Sequence, residues 1–374
     1  MDIQRREYLI GLLGVAVTAC GGGGSSGAVG NAEPVKPDNR GWVVSTLAGG
    51  LNMTDSIDGT GTAALFHLPA GLALDGRGHL FVADYANQQI RRLELSTAAV
   101  LTWAGQHHTA GGDNGDRLSE ATFNHPYALA AGPQNQILVA DTDNNMIRVI
   151  SAEGVVSDLA GVRPTPTSDD PDPSSILSSP SGIVVDQSNV VFVADSLNHV
   201  IRRFDSDGGV SIVAGILGCA GSADGTGVGA SFQNPQGMAL DTSGGLYVAD
   251  SDNHLIRRID LFTLSVSTLA GLAGQMGSAD GTGTAAQFNQ PTAIAVDAVG
   301  RVYVADSQNH LIRSIMPDGV VSTVAGIASL DGGYADGTGT GAEFQLPTGL
   351  AIDASGVLYV ADANNQLIRR LERV

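Results

Sequence analysis

The 374-residue chain carries 19 basic and 38 acidic side chains, for a formal net charge of −19, and Lys36 is its single lysine. Nucleic-acid binding rests on basic groups that neutralise phosphates, so this balance excludes nucleic acid as a partner. Fifty glycines and only 5% aromatic residues point instead to many short strands joined by tight turns.

Residues 1–20 begin with a charged stretch containing Arg5-Arg6, followed by an apolar run from Tyr8 to Val17. That run is too short to span a bilayer and suits the core of a signal peptide. The ending Val17-Thr18-Ala19-Cys20 resembles a bacterial lipobox, which would make Cys20 the lipidated first residue of the mature protein. An ordinary cleaved signal and a retained anchor are the alternatives. Arg5-Arg6-Glu7-Tyr8-Leu9-Ile10 also resembles a twin-arginine signal, which would mean export in the folded state. Residues 21–41, opening on Gly21-Gly22-Gly23-Gly24-Ser25-Ser26-Gly27, read as a flexible tether. The expected location is the bacterial cell envelope, with the lipid as the only membrane contact. Gly22, with no aspartate nearby, favours the outer membrane in a cell that has two. Cys219 then lacks a partner for an intrachain disulfide and reads as an incidental thiol.

From residue 42 onward the chain repeats. Val-Ala-Asp recurs with its aspartate at Asp84, Asp141, Asp195, Asp250, Asp306 and Asp362, and an arginine follows each by seven residues, at Arg91, Arg148, Arg202, Arg257, Arg313 and Arg369. Each unit reads as four short strands: Pro69 to Asp75, Leu80 to Asp84, Ile90 to Leu93, and a last run ending in Trp103-Ala104-Gly105. Four strands separated by Gly, Asn and Asp turns are the pattern of a propeller blade. The sixth unit stops at Val374, one strand short, while Val43-Val44-Ser45-Thr46-Leu47-Ala48-Gly49 stands alone before the first. The predicted architecture is an all-β, six-bladed β-propeller of four-stranded antiparallel blades spanning residues 42–374. Its last blade is closed by the N-terminal strand, which leaves no open edge.

The series Phe-x-x-Pro-x-Gly, apolar strand, Val-Ala-Asp, Asn-x-x-Ile-Arg resembles the NHL repeat, over roughly residues 42–374. Blade 3 departs most: Ser168-Asp169-Asp170-Pro171-Asp172-Pro173 replaces the usual Asp-Gly-Thr-Gly loop, and Leu177 replaces the phenylalanine. The resemblance implies a propeller scaffold. Related propellers also include lyases and lactone hydrolases that hold a metal in the central channel.

Six copies of one Asp–Arg pair suit a scaffold rather than a catalytic set. Across a short turn Asp84 faces Gln89 and shares a face with Arg91, and an arginine between packed blades needs a charged partner. His199, His254 and His310 occupy one repeat position after the turn asparagine, a blade apart, and read as turn residues rather than zinc ligands. Phe66, Phe123, Phe232, Phe288 and Phe344 read as plugs between blades. The Asp-Gly-Thr-Gly loops at Asp58, Asp224, Asp280 and Asp336, with Asp55 near the first, lack the dense acids of calcium loops and read as glycine-rich turns between blades. Calcium is the lesser alternative, and no other cofactor or metal is expected.

Function belongs where the symmetry breaks. The residues between the repeated proline and glycine, Ala70, Tyr127, Ser181, Gln236, Thr292 and Thr348, are expected at the mouth of the central channel. His125 stands beside Tyr127 in blade 2, which also has Ala128 in place of glycine. His125, Tyr127, Ser181, Gln236, Thr292 and Thr348 are the candidate ligand-binding residues; no catalytic residue is assigned. The inner strands are apolar and nearly uniform, without the asymmetric His, Glu, Asp or Asn cluster that a channel metal needs. The expected function is therefore a non-catalytic, envelope-anchored, monomeric binding scaffold for a protein or glycan. A metal-dependent propeller enzyme of lyase or lactone-hydrolase type is the alternative, and a purely structural envelope protein a third.

Overall fold

A computed structural model describes residues 41–161 and 176–374. The signal peptide, Cys20, the tether as far as residue 40 and the acidic blade-3 loop lie outside the described residues.

The middle strands of each unit are continuous apolar runs such as Leu80-Phe81-Val82-Ala83, as expected for strands buried on both faces. Blade 1 sets the pattern with strands Pro69–Leu74, His79–Asp84, Gln89–Glu94 and Ala99–Ala104, each antiparallel to the next. Six such sheets form, and each innermost strand packs against those of both flanking blades, blade 6 against blade 1 included. The fold is a six-bladed β-propeller.

The closing strand, Trp42–Ala48, pairs antiparallel with Leu367–Arg373, from Trp42 opposite Arg373 to Ala48 opposite Ile368. Trp42 is buried, edge-on to Tyr303 of blade 5 with ring centroids 5.8 Å apart. In one respect the blades exceed expectation. Gly59–Thr60 and its counterparts in blades 2, 4, 5 and 6 add a two-residue fifth strand at the outer edge. The Asp58 carboxylate fixes that loop, accepting bonds from the backbone N–H and the hydroxyl of Thr102.

The apolar core is divided among the seams between blades. Phe66 is fully buried with Leu72 and Leu80 of blade 1 and Tyr359 and Ile368 of blade 6. Phe123, Phe232, Phe288 and Phe344 plug four further seams, and Leu177 fills the one between blades 2 and 3.

Every blade buries one ion pair. Arg91 and Asp84 are fully buried 2.9 Å apart, and Arg148, Arg257, Arg313 and Arg369 repeat the bond at 2.7–2.9 Å. Asp84 also accepts from the His67 backbone N–H and the Asn87 amide, so both its oxygens are hydrogen-bonded. Burial pushes its carboxyl up to about 6, against the pull of Arg91 and these donors. The second arm of the guanidinium reaches the Asp58 carboxylate at 2.8 Å, and the same arm of Arg257, Arg313 and Arg369 reaches Asp224, Asp280 and Asp336. These loop aspartates thus serve arginine. In the five seams plugged by phenylalanine the guanidinium also lies over the ring, as Arg91 does over Phe66 at 5.4 Å.

Neighbouring blades are latched at the same height all round the ring. The left-handed residue closing each Val-Ala-Asp turn accepts a backbone N–H from the residue before the next blade's proline. The acceptors are Gln88, Asn145, His199, His254, His310 and Gln366; the donors are His125, Ser179, Asn234, Gln290, Leu346 and Leu68. All six donors have φ between 48° and 54°, a region that residues before proline normally avoid. No helix among the described residues is long and apolar enough to cross a membrane.

Candidate functional site at the channel mouth

The innermost strands approach too closely below the mouth to leave a wide bore. A Cβ on Gly182 would lie 2.1 Å from the Gln236 carbonyl oxygen, and one on Gly349 would lie 2.0 Å from that of Ala70. This contact explains the Pro-x-Gly signature: glycine lets adjacent inner strands touch backbone to backbone. The lower channel is lined by these glycines and by Leu72, Leu129, Ile183, Met238, Ile294 and Leu350.

Above it the channel widens into a cavity of about 270 Å³. The strand-entry residues Ala70, Tyr127, Ser181, Gln236, Thr292 and Thr348 all line it. Each sits one residue into its inner strand, directly after the proline that the latch holds in place. The Tyr127 hydroxyl donates to the Gln236 side-chain oxygen at 3.3 Å, from blade 2 to blade 4. Burial pushes that phenol up to about 12, so it remains a neutral donor.

His125 stands on the rim, outside the cavity lining. Its Nδ1 lies 2.6 Å from the Asp143 carboxylate, and its ring packs against Tyr85 with centroids 4.5 Å apart. Tyr85 in turn meets Tyr127 edge-on at 6.1 Å. Blades 1 and 2 therefore supply an aromatic sector, and the remaining blades supply hydroxyls and amides.

Several residues that matter here carry no motif in the sequence. Thr142, Ser196, Ser251 and Ser307, each directly after Val-Ala-Asp, donate to the proline carbonyl of the next blade, and all but Ser196 line the cavity. Tyr85, Asp143 and Asp252 also line it. Asp252 faces the side-chain amides of Asn234 and Gln290 at 3.3 and 3.4 Å, and burial raises its carboxyl above the ordinary range. The signal was available: these are the first two positions of each turn, and they vary from blade to blade. Asp143 and Asp252 are the only carboxylates among the lining residues; Asp143 is paired with the His125 imidazole on the rim, and Asp252 with the Asn234 and Gln290 amides.

The geometry defines a propeller with a polar, aromatic-edged funnel at one end of its axis. The family model for the NHL repeat matches residues 66–93, 232–259, 288–313 and 344–371, which fall in blades 1, 4, 5 and 6. The chain thus carries NHL repeats on a six-bladed propeller. It is 30% identical over 347 residues to NHL repeat-containing protein 2 of Gallus gallus, covering 81% of this chain and 46% of that protein. The chain spans less than half the length of the curated relatives it matches first. Among solved structures, it resembles an auxiliary nutrient binding protein from Bacteroides thetaiotaomicron (TM-score 0.66, 17% identity, 89% of this chain and 77% of the other). It also resembles a gluconolactonase from Xanthomonas campestris (TM-score 0.59, 13% identity, 92% and 99%). At these identities the structural likeness speaks for the fold alone.

Proposed function

We propose that this propeller is a non-catalytic binding scaffold whose channel mouth takes a small neutral glycan. The observation that carries this reading is the lining itself: a cavity of about 270 Å³ edged by Tyr85 and Tyr127 and lined mainly by neutral hydroxyls and amides, its two carboxylates, Asp143 and Asp252, each already paired. A concave site with aromatic walls and a few convergent polar groups is what a polyhydroxylated ligand requires. The two blades outside the family matches, 2 and 3, supply Tyr127, Asp143 and Ser181, so the repeat is least regular where the cavity is most distinctive. The nutrient-binding fold neighbour is consistent with this role. Enzymatic lyase or lactonase chemistry is the weaker reading, because Asp143 and Asp252 are committed to His125 and to the Asn234 and Gln290 amides.

The proposal places the scaffold in the bacterial cell envelope, exported and held by a lipid on Cys20. Radiolabelled palmitate incorporation that disappears in Cys20→Ala tests the anchor. Titration calorimetry with neutral mono- and disaccharides tests the site. Saturable binding that weakens at least about tenfold in Tyr127→Ala and Gln236→Ala, one lost interaction of about 1.4 kcal/mol, supports it. Binding unchanged in both variants, or no saccharide bound at all, overturns it.

A further inference from the structure

Two departures from the repeat meet above blade 1, away from the channel. The first lies in the loop that follows the outer strand. After the glycine that ends that strand, blades 3, 4 and 5 continue with Ile216-Leu217, Leu272-Ala273 and Ile327-Ala328, whereas blade 1 continues with Gln106-His107-His108. The second lies in the crossover entering the blade. There a backbone carbonyl accepts from the turn asparagine, and its owner is Gly111, Gly221, Gly277 or Gly333 in blades 2, 4, 5 and 6. Blade 3 uses Ile176. Blade 1 uses Asp55, whose carbonyl lies 2.8 Å from the Asn87 amide.

The glycines have a steric reason. A Cβ at Gly111, Gly221, Gly277 or Gly333 would come within 2.5 Å of Thr122, Ser231, Gln287 or Glu343. Blade 1 is the place where a carboxylate enters this corner, and two imidazoles arrive from the adjoining loop to meet it. The ligand atoms of Asp55, His107 and His108 all lie within 4.8 Å of one another. His107 Nε2 is 3.5 Å from the Asp55 carboxylate. Ligands at ~2.0–2.2 Å from one tetrahedral ion stand ~3.3–3.6 Å apart, so this pair already has the required spacing. The His108 ring is exposed and stacked on His107 with centroids 3.8 Å apart.

We propose that Asp55, His107 and His108 form a binding site for a divalent transition ion of the zinc class. Two imidazoles and one carboxylate select such ions over calcium or magnesium, which prefer all-oxygen shells. Three protein ligands leave a fourth position for water. The ion would join the crossover that leaves the closing strand Trp42–Ala48 to the crossover that leaves blade 1. It would thereby fasten the seam between blades 6 and 1.

The test uses the full-length protein, untagged and stripped with EDTA. Zinc titration by calorimetry should show one equivalent, and cobalt(II) should give the visible d–d bands of a low-coordinate site. Zinc should raise the melting temperature, and EDTA should reverse the rise. Asp55→Gly restores the residue that four other blades carry, and His107→Ala/His108→Ala changes only exposed side chains, so both variants should keep the wild-type circular dichroism. Loss of the zinc equivalent, the cobalt bands and the thermal shift in both supports the site. Absence of zinc binding in the wild type overturns it, as does an equivalent of zinc that survives in either variant.

Discussion

Gln366 and Leu68 lie 298 residues apart in the chain, yet the Leu68 backbone N–H donates to the Gln366 side-chain oxygen at 2.6 Å. This bond seals blade 6 to blade 1 with the same device that joins every other pair of blades. The acceptor, however, is not the same chemical group throughout. Three seams use an amide, and the three seams that join blades 3 to 6 use an imidazole Nδ1.

An amide oxygen accepts at any pH, whereas a protonated imidazole has no lone pair left to offer. Burial holds His199, His254 and His310 below the ordinary histidine range, with Asp252 pulling the first two and Asp331 the third the other way. A depressed folded-state value means that the unfolded chain takes up the proton more readily. The histidine contribution is therefore complete above the unfolded value of about 6.5 and is lost as the pH falls below it. The buried aspartates titrate in the opposite sense, so the comparison must isolate the latches. His199→Gln/His254→Gln/His310→Gln installs the acceptor of blades 1 and 6. Between pH 7.5 and 5 its melting temperature should gain on that of the wild type. Parallel pH profiles would show that the imidazoles are not the labile element.

The buried ion pairs should be unforgiving when half is removed. Asp250→Ala removes the buried partner of Arg257, leaving it only the half-exposed Asp224 carboxylate, and should cost about 3–5 kcal/mol in urea unfolding. Arg203→Ala breaks the exposed pair with Asp205 and should cost under about 1 kcal/mol.

The plugs carry the seams. Phe288 is fully buried between blades 4 and 5, so Phe288→Ala should cost about 3–5 kcal/mol. Because the seam lies between blades, the loss should appear as one cooperative transition at lower denaturant rather than as the melting of one blade.

Closure can be tested by moving the closing strand. Deleting residues 42–48 bares the outer edge of Leu367–Arg373 and should lower the melting temperature of the whole ring. The Val374 backbone N–H bonds the Gly41 carbonyl at 3.0 Å, so a short turn can span the gap. Grafting residues 41–50 after Val374 through such a turn should restore the melting temperature. A deletion that melts like the intact protein would refute the role of this strand.

The blade count, the closing strand and the Asp–Arg pair were legible because each recurs at a fixed offset, and a fixed offset becomes a fixed place in a sheet. The strand-entry residues were legible as a set for the same reason. His125 was harder to place: it shares the entry loop of Tyr127, but the attraction of Asp143, 18 residues away, draws it onto the rim. His199, His254 and His310 were recognisable as turn residues. Their role as latches was not, because their partner is a backbone N–H about 35 residues ahead in another blade. Asp58 and its counterparts read as turn formers because nothing local shows a guanidinium arriving from 33 residues downstream.

The closing strand also dictates an order of events. Trp42–Ala48 is synthesised before blade 1, yet its sheet partner does not exist until Arg373 has been added. Blades 1 to 5 can pair their strands as they emerge, while this segment waits with its hydrogen-bonding groups unmet. Strand Leu367–Arg373 thus recruits a segment made before blade 1, and no closed ring precedes its synthesis. A chain that stops short of this strand keeps an unpaired segment and an unsealed edge, a template for pairing with another chain.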